Sequence, residues 1–331
     1  MNILFCSVGR RAELLKDFRK SMGTKGRIVV TENSEAAPAI YFADKYYLVP
    51  KIDHPDYVNQ IEDICRKEKI DVITTVIDPE IGVLSKNRDR FEKLGVLAPD
   101  VQTAELCFDK FKMYKWLTKC GIRTVKTFGD IEEFEKAREN GEISYPVFVK
   151  PRCGSGSVGT HVVTNDDDLK KVYKEDTTLI IQEYMGGALD IDADVYVDTI
   201  SNTPVSIFTK RKLSTKIGGA NKTVSFKDDK LVDFILSAIK WFKFYGPIDI
   251  DSWKKDGAYY LSEINPRFGG AYLHAYGTGV DFVNLIENNV NKIENTRIFN
   301  AYDDNILMMM YDAVVIVQIS QSTNWVSDTH R

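Results

Sequence analysis

The first hundred residues alternate between short apolar runs and amphipathic stretches, and this alternation restricts the fold more than any other feature. Asn2–Ser7 is a short apolar run, followed by a helical pattern from Arg11 to Met22. Arg27–Thr31 and Tyr46–Val49 read as the second and third strands. Asp56–Glu68 is amphipathic, with Tyr57, Ile61, Ile64 and Cys65 on one face. Asp71–Ile77 reads as a buried strand and Glu80–Leu94 as a helix. Strands separated by helices predict a parallel sheet covered on both faces. A chain of 331 residues exceeds one ordinary core, so two or three domains are expected.

The pattern then changes. Ala104–Cys120 has a helical pattern stopped by Gly121, and Tyr145–Pro151 is a strand. Arg152–Thr160 is a glycine- and serine-rich loop before a strand at His161–Val163. Asp166–Tyr173 reads as helical and Thr178–Tyr184 as a strand. Asp192–Ile200, Pro204–Lys210, Ile248–Trp253 and Ala258–Ile264 read as strands, and Lys255-Asp256-Gly257 is a hairpin turn. This region is α+β and mostly antiparallel. Met308–Met310 and Tyr311 are expected in the core, Ala313–Ile319 as a last core strand, and Ser320–Arg331 as a tail.

Composition narrows the function classes. With 44% hydrophobic and 28% charged residues, the chain has the make-up of a soluble globular protein, which excludes disordered and fibrous classes. A net charge of −4 argues against a general nucleic-acid binder. The longest apolar runs, Ile70–Ile77 and Val314–Ile319, fall far short of the ~20 residues a membrane helix needs. Met1–Cys6 lacks a basic segment and reads as a strand rather than a signal peptide. Cys6, Cys65, Cys107, Cys120 and Cys153 are odd in number and none has CxxC spacing. Neither a disulfide framework nor a zinc site is expected, and a cytoplasmic setting follows.

Three segments carry chemistry. Pro146–Pro151 is an apolar strand ending at Lys150, and Gly154-Ser155-Gly156-Ser157-Val158-Gly159-Thr160 follows at once. Glycines let backbone N–H groups turn toward phosphate oxygens, and Lys150 offers a charge beside them. A plain hairpin loop after an exposed lysine explains the same residues, and the segment lacks the GK[ST] ending of a Walker loop. Ile180–Gly187 is a buried strand running into an extended polar segment able to meet an adenine edge, with Asp190 placed for ribose hydroxyls. In Gly246–Asp251 and Tyr259–Arg267, residues two apart share a strand face. Asp249 and Asp251 therefore point one way, as do Glu263 and Asn265. If the two strands pair, these oxygen donors converge in a set that suits Mg²⁺ completed by nucleotide phosphates. Arg267 follows, where it would pin a transferring phosphoryl group. Alternating polar residues on a solvated strand are the bland account.

The order of these segments resembles the ATP-grasp superfamily, specifically the branch similar to the carbamoyl-phosphate synthase large subunit and related carboxylate–amine ligases. The resemblance is carried by Asp109-Lys110, Val149-Lys150-Pro151, the Gly154–Thr160 loop, Gln182-Glu183-Tyr184-Met185 and Glu263-Ile264-Asn265-Pro266-Arg267. It implies an α/β, Rossmann-like preATP-grasp domain over 1–105 and an α+β ATP-grasp domain beyond it. The latter divides into a lid subdomain with the phosphate loop over 106–186 and a C-terminal subdomain with the metal site over 187–331. It implies that Lys110, Lys150, Gly154, Ser155, Gly156, Ser157 and Gly159 meet nucleotide phosphates. Gln182, Glu183, Tyr184 and Met185 would line the adenine pocket, with Asp190 at the ribose. Asp249, Glu263 and Asn265 would hold metal, Asp249 ahead of Asp251. Lys210, Arg211 and Lys212 match a basic strand near the γ-phosphate. Arg267, Lys210 and Arg211 are therefore expected to be catalytic, whereas Gly218-Gly219-Ala220 departs from a common Gly-Glu.

The activity implied is ATP- and Mg²⁺-dependent (with Mn²⁺ as a substitute) activation of a carboxylate as an acyl phosphate. An amine then captures it, releasing ADP and phosphate. The partners implied are a small-molecule carboxylate and an amine, with neither nucleic acid nor membrane, and homodimerisation is compatible. A bicarbonate-activating enzyme like carbamoyl-phosphate synthase or biotin carboxylase is the first alternative, and a non-catalytic ATP-binding module the second. Arg10 and Arg11 fall at the first strand-to-helix turn, as a substrate-anion site or as solvated turn residues. Asp78 and Glu80 are helix caps or substrate contacts. His274 is the best placed of four scattered histidines, and Cys153 reads as a small filler beside the loop.

Overall fold

A computed structural model describes residues 1–154, 159–176, 178–216 and 219–318. The N-terminal strands β1 (Ile3–Cys6), β2 (Ile28–Glu32), β3 (Lys45–Leu48), β4 (Val72–Thr75) and β5 (Gly95–Leu97) form a parallel sheet in the order β3-β2-β1-β4-β5. Helices α1 (Ala12–Met22), α2 (Tyr57–Glu68) and α3 (Asp78–Lys86) connect them. The strand runs are apolar on both faces because both are covered. Ile3 and Phe5 meet Leu14, Leu15 and Phe18 of α1. Leu4 and Cys6 meet Tyr57, Ile61 and Ile64 of α2. The order reverses between β1 and β4, so their carboxyl ends open a crevice of the kind that binds ligands. The helix expected to Leu94 stops at Lys86. A short 3-10 turn, Arg88–Phe91, and β5 follow instead, with the Asn87 side chain donating back to Val83 O at 2.9 Å.

The single helix expected over Ala104–Cys120 is two, α4 (Val101–Phe108) and α5 (Lys110–Lys119). Asp109 between them is extended, and its carboxylate accepts from the N–H groups of Phe111 at 3.1 Å and Lys112 at 2.9 Å. An N-cap of this kind starts a new helix instead of continuing the old one. An antiparallel sheet follows, with β6 (Thr127–Phe128), β7 (Val147–Pro151), β8 (His161–Val163) and β9 (Leu179–Glu183) in the order β6-β9-β7-β8. Helices α6 (Ile131–Glu139) and α7 (Asp166–Glu175) belong to this unit. Phe128, Phe134, Val147, Val149 and Ile181 form its core.

The largest sheet runs β14-β13-β10-β11-β12-β16, with β15 paired to β11. Its strands are β10 (Leu189–Val197), β11 (Pro204–Lys216), β12 (Gly219–Ser225), β13 (Gly246–Lys255), β14 (Ala258–Asn265), β15 (Ile298–Phe299) and β16 (Leu307–Met309). Helices α8 (Asp229–Ile239), α9 (Tyr272–Gly277) and α10 (Phe282–Val290) flank it. Asp256 and Gly257 join β13 to β14 with φ of 50° and 76°, the left-handed pair a tight hairpin demands. One face of the sheet is apolar, with Ile191, Ala193, Val195, Ile248 and Ile250 against Leu231, Ile235 and Ala238 of α8. The alternate residues build the site.

A seam of rings ties this sheet to the N-terminal unit. Phe18 meets Phe268 at 5.5 Å, Phe268 meets Tyr272 at 4.8 Å, Tyr272 meets Phe282 at 4.9 Å and Phe282 meets Tyr196 at 5.4 Å. Such contacts add to the burial of each ring. The C-terminal expectations need correction. Met309 is 58% exposed and Tyr311 85% exposed, and Ala313–Gln318 form no strand. β16 pairs with β12 over only three residues, and the chain beyond it is mostly exposed, with Asp312 paired to Lys216 at 2.8 Å. Ile319 and Ser320–Arg331 lie outside the described residues. No helix among the described residues is long and apolar enough to cross a membrane.

Candidate active site

Four adjacent strands put charged residues on one face. The register sets Asp192 opposite Lys210 on one side and Asp251 on the other. Asp194 lies opposite Asp249, Asp249 opposite Asn265, and Asp251 opposite Glu263. This face forms the floor of a cleft of about 890 Å³. Lys110, Lys150, Phe148 and Met185 line it from one side, and Arg11, Ile77 and Asp78 line it from the N-terminal unit.

The cations divide the floor into two zones. Lys210 is fully buried, with Nζ 3.0 Å from Asp192 Oδ1 and in contact with Asp194 Oδ2. Lys212 bridges Asp190 at 2.8 Å and Asp251 at 2.7 Å and faces the cleft. Arg267 donates through Nε to Asp78 Oδ1 at 2.7 Å and lies 3.3 Å from Asp249 Oδ2. Burial pushes the Asp249 carboxyl well up, with Asp192 and Asp251 adding to it. Burial also holds Asp194 up to about 6 against the pull of Lys210. Asp251 is different: burial alone would raise it, but Lys212 overrides this and holds it below the usual carboxylate range.

Oxygen ligands of Asp192, Asp194 and Asp249 lie within 4.8 Å of one another, spacing that suits a metal. Lys210 and Arg267 already neutralise that trio, however. A second set of oxygen donors lies one register step away. Two ionised carboxylates directly opposite each other repel unless a cation lies between them. Asp251 and Glu263 form such a pair, with Lys212 at 2.7 Å from the first and Lys110 at 3.5 Å from the second, and both reach the cleft. The Asn265 amide nitrogen is 3.4 Å from Asp249 and 3.5 Å from Asp251, which leaves Oδ1 as an acceptor. An all-oxygen set of Asp251, Glu263 and Asn265 matches hard divalent cations. Asp249, the expected ligand, lies opposite Asn265 and also lines the cleft, so it stands beside Asp251 as a donor next to Glu263 and Asn265.

Lys110 and Lys150 converge at the start of the glycine loop. Lys110 Nζ lies 3.5 Å from Glu263 Oε1 and donates to the carbonyl of Gly154. Its backbone N–H donates to Arg152 O at 3.0 Å, and Arg152 is locked to Asp109 at 2.7 Å. The cap that breaks the helix therefore also fixes the loop. Lys150 is buried and makes no ion pair among the described residues, and burial lowers its pKa. Gly154 and Gly159 have φ of 106° and 70°, so the loop's two described ends need glycine. Ser155, Gly156 and Ser157 lie outside the described residues.

Gln182, Glu183, Tyr184 and Met185 all line the cleft at the end of β9. Two of these side chains are already engaged. Gln182 donates to Thr127 Oγ1 at 2.8 Å, and Glu183 pairs with Lys255 at 2.7 Å. Lys210 and Arg211, both expected to be catalytic, do not line the cleft. Lys210 is sealed beneath the floor, and Arg211, one residue on, turns to the other face beside Phe226. Lys212 is the cleft cation of that strand. Phe148 and Trp253 also line the cleft, although no sequence motif marked them. His274 is buried, with Nδ1 2.7 Å from Thr223 Oγ1, and it does not line the cleft. Cys153 does line the cleft beside the loop. Glu80 is buried in the first turn of α3 with Tyr57 and Thr75, so it holds the fold together.

Residues 3–98 match the family described as PylC-like, N-terminal domain, and residues 107–271 match the ATP-grasp domain. This chain belongs to the ATP-grasp superfamily. Within it, the chain is 26% identical over 227 residues to the carbamoyl phosphate synthase large chain of Sulfolobus acidocaldarius, covering 63% of this chain and 21% of that one. It is 28% identical over 138 residues to D-alanine–D-alanine ligase of Thermotoga sp. strain RQ2, covering 40% of this chain and 43% of that one. It thus spans about a fifth of the first relative and under half of the second. The ATP-grasp fold is shared with N5-carboxyaminoimidazole synthetase from Staphylococcus aureus complexed with ADP. The TM-score is 0.73 at 19% identity, covering 89% of this chain and 78% of that one.

Proposed function

We propose that this ATP-grasp chain is an ATP-dependent ligase that activates a small-molecule carboxylate as an acyl phosphate and passes it to an amine. The observation that carries this reading is the direct opposition of Asp251 and Glu263 beside Asn265, on the floor of a cleft that Lys110 and Lys150 also line. The D-alanine–D-alanine ligase and carbamoyl phosphate synthase relatives carry names of the same chemical class.

In this reading Lys110, Lys150 and the glycine loop bind the nucleotide phosphates. The segment Gln182–Met185 meets the base through its backbone, with Phe148 and Trp253 offering apolar surface. Asp190 serves the ribose. Asp251, Glu263 and Asn265 would hold Mg²⁺, which would supply charge neutralisation at the phosphates. Lys212 and Arg267 stabilise charge on the transferring phosphoryl group, as a substrate carboxylate oxygen bonds to the γ-phosphorus and the bond to ADP breaks. The acyl C–O bond then breaks as the amine forms the new C–N bond, releasing phosphate. Residues 106–186 act as the lid over a base formed by 187–331, beside a substrate-facing unit at 1–105. Five free cysteines fit a cytoplasmic setting.

A screen of phosphate release with MgATP against amino acids, dipeptides and bicarbonate tests the proposal. Substrate-dependent release from the wild type, lost in Glu263→Gln, is expected. Release unchanged by that substitution overturns the metal assignment, and release driven by bicarbonate alone shifts the acid from an organic carboxylate to bicarbonate.

A further inference from the structure

We propose that Arg11 anchors the carboxylate of the amine-bearing co-substrate, and that this co-substrate is an amino acid. The inference rests on the ligase reading above and names one of its substrates.

Arg11 stands at the carboxyl end of β1, at the crevice where the sheet order reverses, and lines the cleft with Asp78, Gly270 and Ala271. It makes no ion pair among the described residues. Among the described residues its guanidinium donates to two backbone carbonyls, Nη1 to Gly269 O at 3.1 Å and Nη2 to Phe268 O at 3.5 Å. A guanidinium carries five N–H donors, so donors remain for an anion. Burial, with Arg267 nearby, lowers its pKa to about 10, so it stays charged at neutral pH. A half-buried guanidinium with no carboxylate in direct contact among the described residues can take a carboxylate ligand bidentately.

The turn that carries Arg11 is fixed. Gly9 N donates to Glu32 Oε2 at 2.8 Å, Arg11 N donates to Val8 O at 2.9 Å, and Ala39 N donates to Gly9 O at 3.1 Å. Gly270 lies beside the guanidinium. A Cβ on Gly270 would lie 3.4 Å from Arg11 Nη1.

Position decides which carboxylate Arg11 takes. Asn265 lies across from Asp249, a Cβ on Gly269 would lie 2.6 Å from Asp249 Oδ1, and Gly270 adjoins Arg11. Arg11 is therefore beyond Asp249 and Arg267 from Glu263, whereas the carboxylate being phosphorylated must sit at the metal set. The surroundings decide the ligand's charge. Asp78, Asp194 and Asp249 act on Arg11 from close by. Arg267 acts there too, and it and Lys210 offset these carboxylates, so a zwitterion that brings an amine along with its carboxylate fits better than a phosphate dianion.

The test uses the full chain loaded with Mg²⁺ and a non-hydrolysable ATP analogue. Ligand-observed NMR screens a pool of the twenty L-amino acids, and each binder is then titrated against its own α-amide. A charge-assisted bidentate contact predicts about tenfold or greater weakening on amidation in the wild type. Arg11→Gln is expected to abolish the acid-to-amide difference, and Arg11→Lys to retain part of it. The ratio is read within each protein, so a general loss of stability cancels. If Arg11→Gln fails to fold, the wild-type and Arg11→Lys ratios still decide. Equal binding of acid and amide by the wild type overturns the proposal, as does undiminished discrimination in Arg11→Gln or binding of no amino acid at all. The ligase reading fails separately, when MgATP gives no substrate-dependent phosphate release with any member of the carboxylate screen.

Discussion

Lys210 and Lys212 lie two residues apart on one strand face and carry the same charge, yet their surroundings give them different work. Lys210 is sealed between Asp192 and Asp194, so its ammonium settles two buried carboxylates. Removing one partner of a buried ionic group leaves the other uncompensated. Lys210→Met is accordingly expected to cost roughly 3–5 kcal/mol in urea unfolding. Lys212 reaches the cleft, and Lys212→Met is expected to lower substrate-dependent phosphate release by on the order of a hundredfold. A Lys212→Met enzyme with wild-type turnover would remove that side chain from the chemistry. Gly269 has an equally local requirement. An added Cβ would sit 2.6 Å from Asp249 Oδ1 and 3.0 Å from Asp194 Oδ1, so Gly269→Ala must displace both carboxylates. A stability loss of about 1–3 kcal/mol is expected from the overpacking, read in the same unfolding assay.

At the scale of elements, the β10–β11 hairpin is tied to α10 by one carboxylate at its turn. Asp198 accepts from the N–H groups of Ile200 and Ser201, each at 2.9 Å, from Asn289 Nδ2 at 2.7 Å and from Asn295 N at 3.0 Å. Burial alone would raise this carboxyl, but the donors outweigh it and hold the pKa at about 2. The folded value lies below the ordinary one. The stabilisation is therefore present above about pH 4 and lost as pH falls toward 2. Asp198→Asn is expected to cost about 2 kcal/mol at pH 7, with the gap from wild type closing between pH 4 and 2 in acid titrations of stability. Elements whose residues alternate cleanly were legible in the sequence. The Asp249-Ile250-Asp251 and Glu263-Ile264-Asn265 strands declare both faces by period two. Asp109 was singled out, but its capping of a second helix depends on its backbone conformation. The choice among Lys210, Arg211 and Lys212 turns on parity, since a one-residue shift moves a side chain to the opposite face. β11 also carries register shifts between Lys212 and Thr215, which residue identity does not announce. The contact of Arg267 with Asp78 spans 189 residues, so no local pattern holds it.

Across the whole molecule, the N-terminal unit and the largest sheet share one apolar core. Leu14, Leu15 and Phe18 of α1 belong to the same buried cluster as Tyr196, Phe268, Tyr272 and Phe282. Scanning calorimetry is therefore expected to show these parts melting in one transition, and Phe268→Ala is expected to lower stability by about 3–5 kcal/mol. Two well-separated transitions in the wild type would mean that the ring seam does not couple them. The Asp78–Arg267 pair crosses the same boundary at the cleft, where Arg267 also touches Asp249. That bridge bears on recombination between relatives. An N-terminal unit grafted from another protein to change substrate choice brings a foreign residue to the position of Asp78. Unless that residue is acidic, the graft removes the outer tether of Arg267 and, under the proposed function, is expected to lower phosphate release. Chimeras should therefore be cut so that Asp78 and Arg267 come from the same parent.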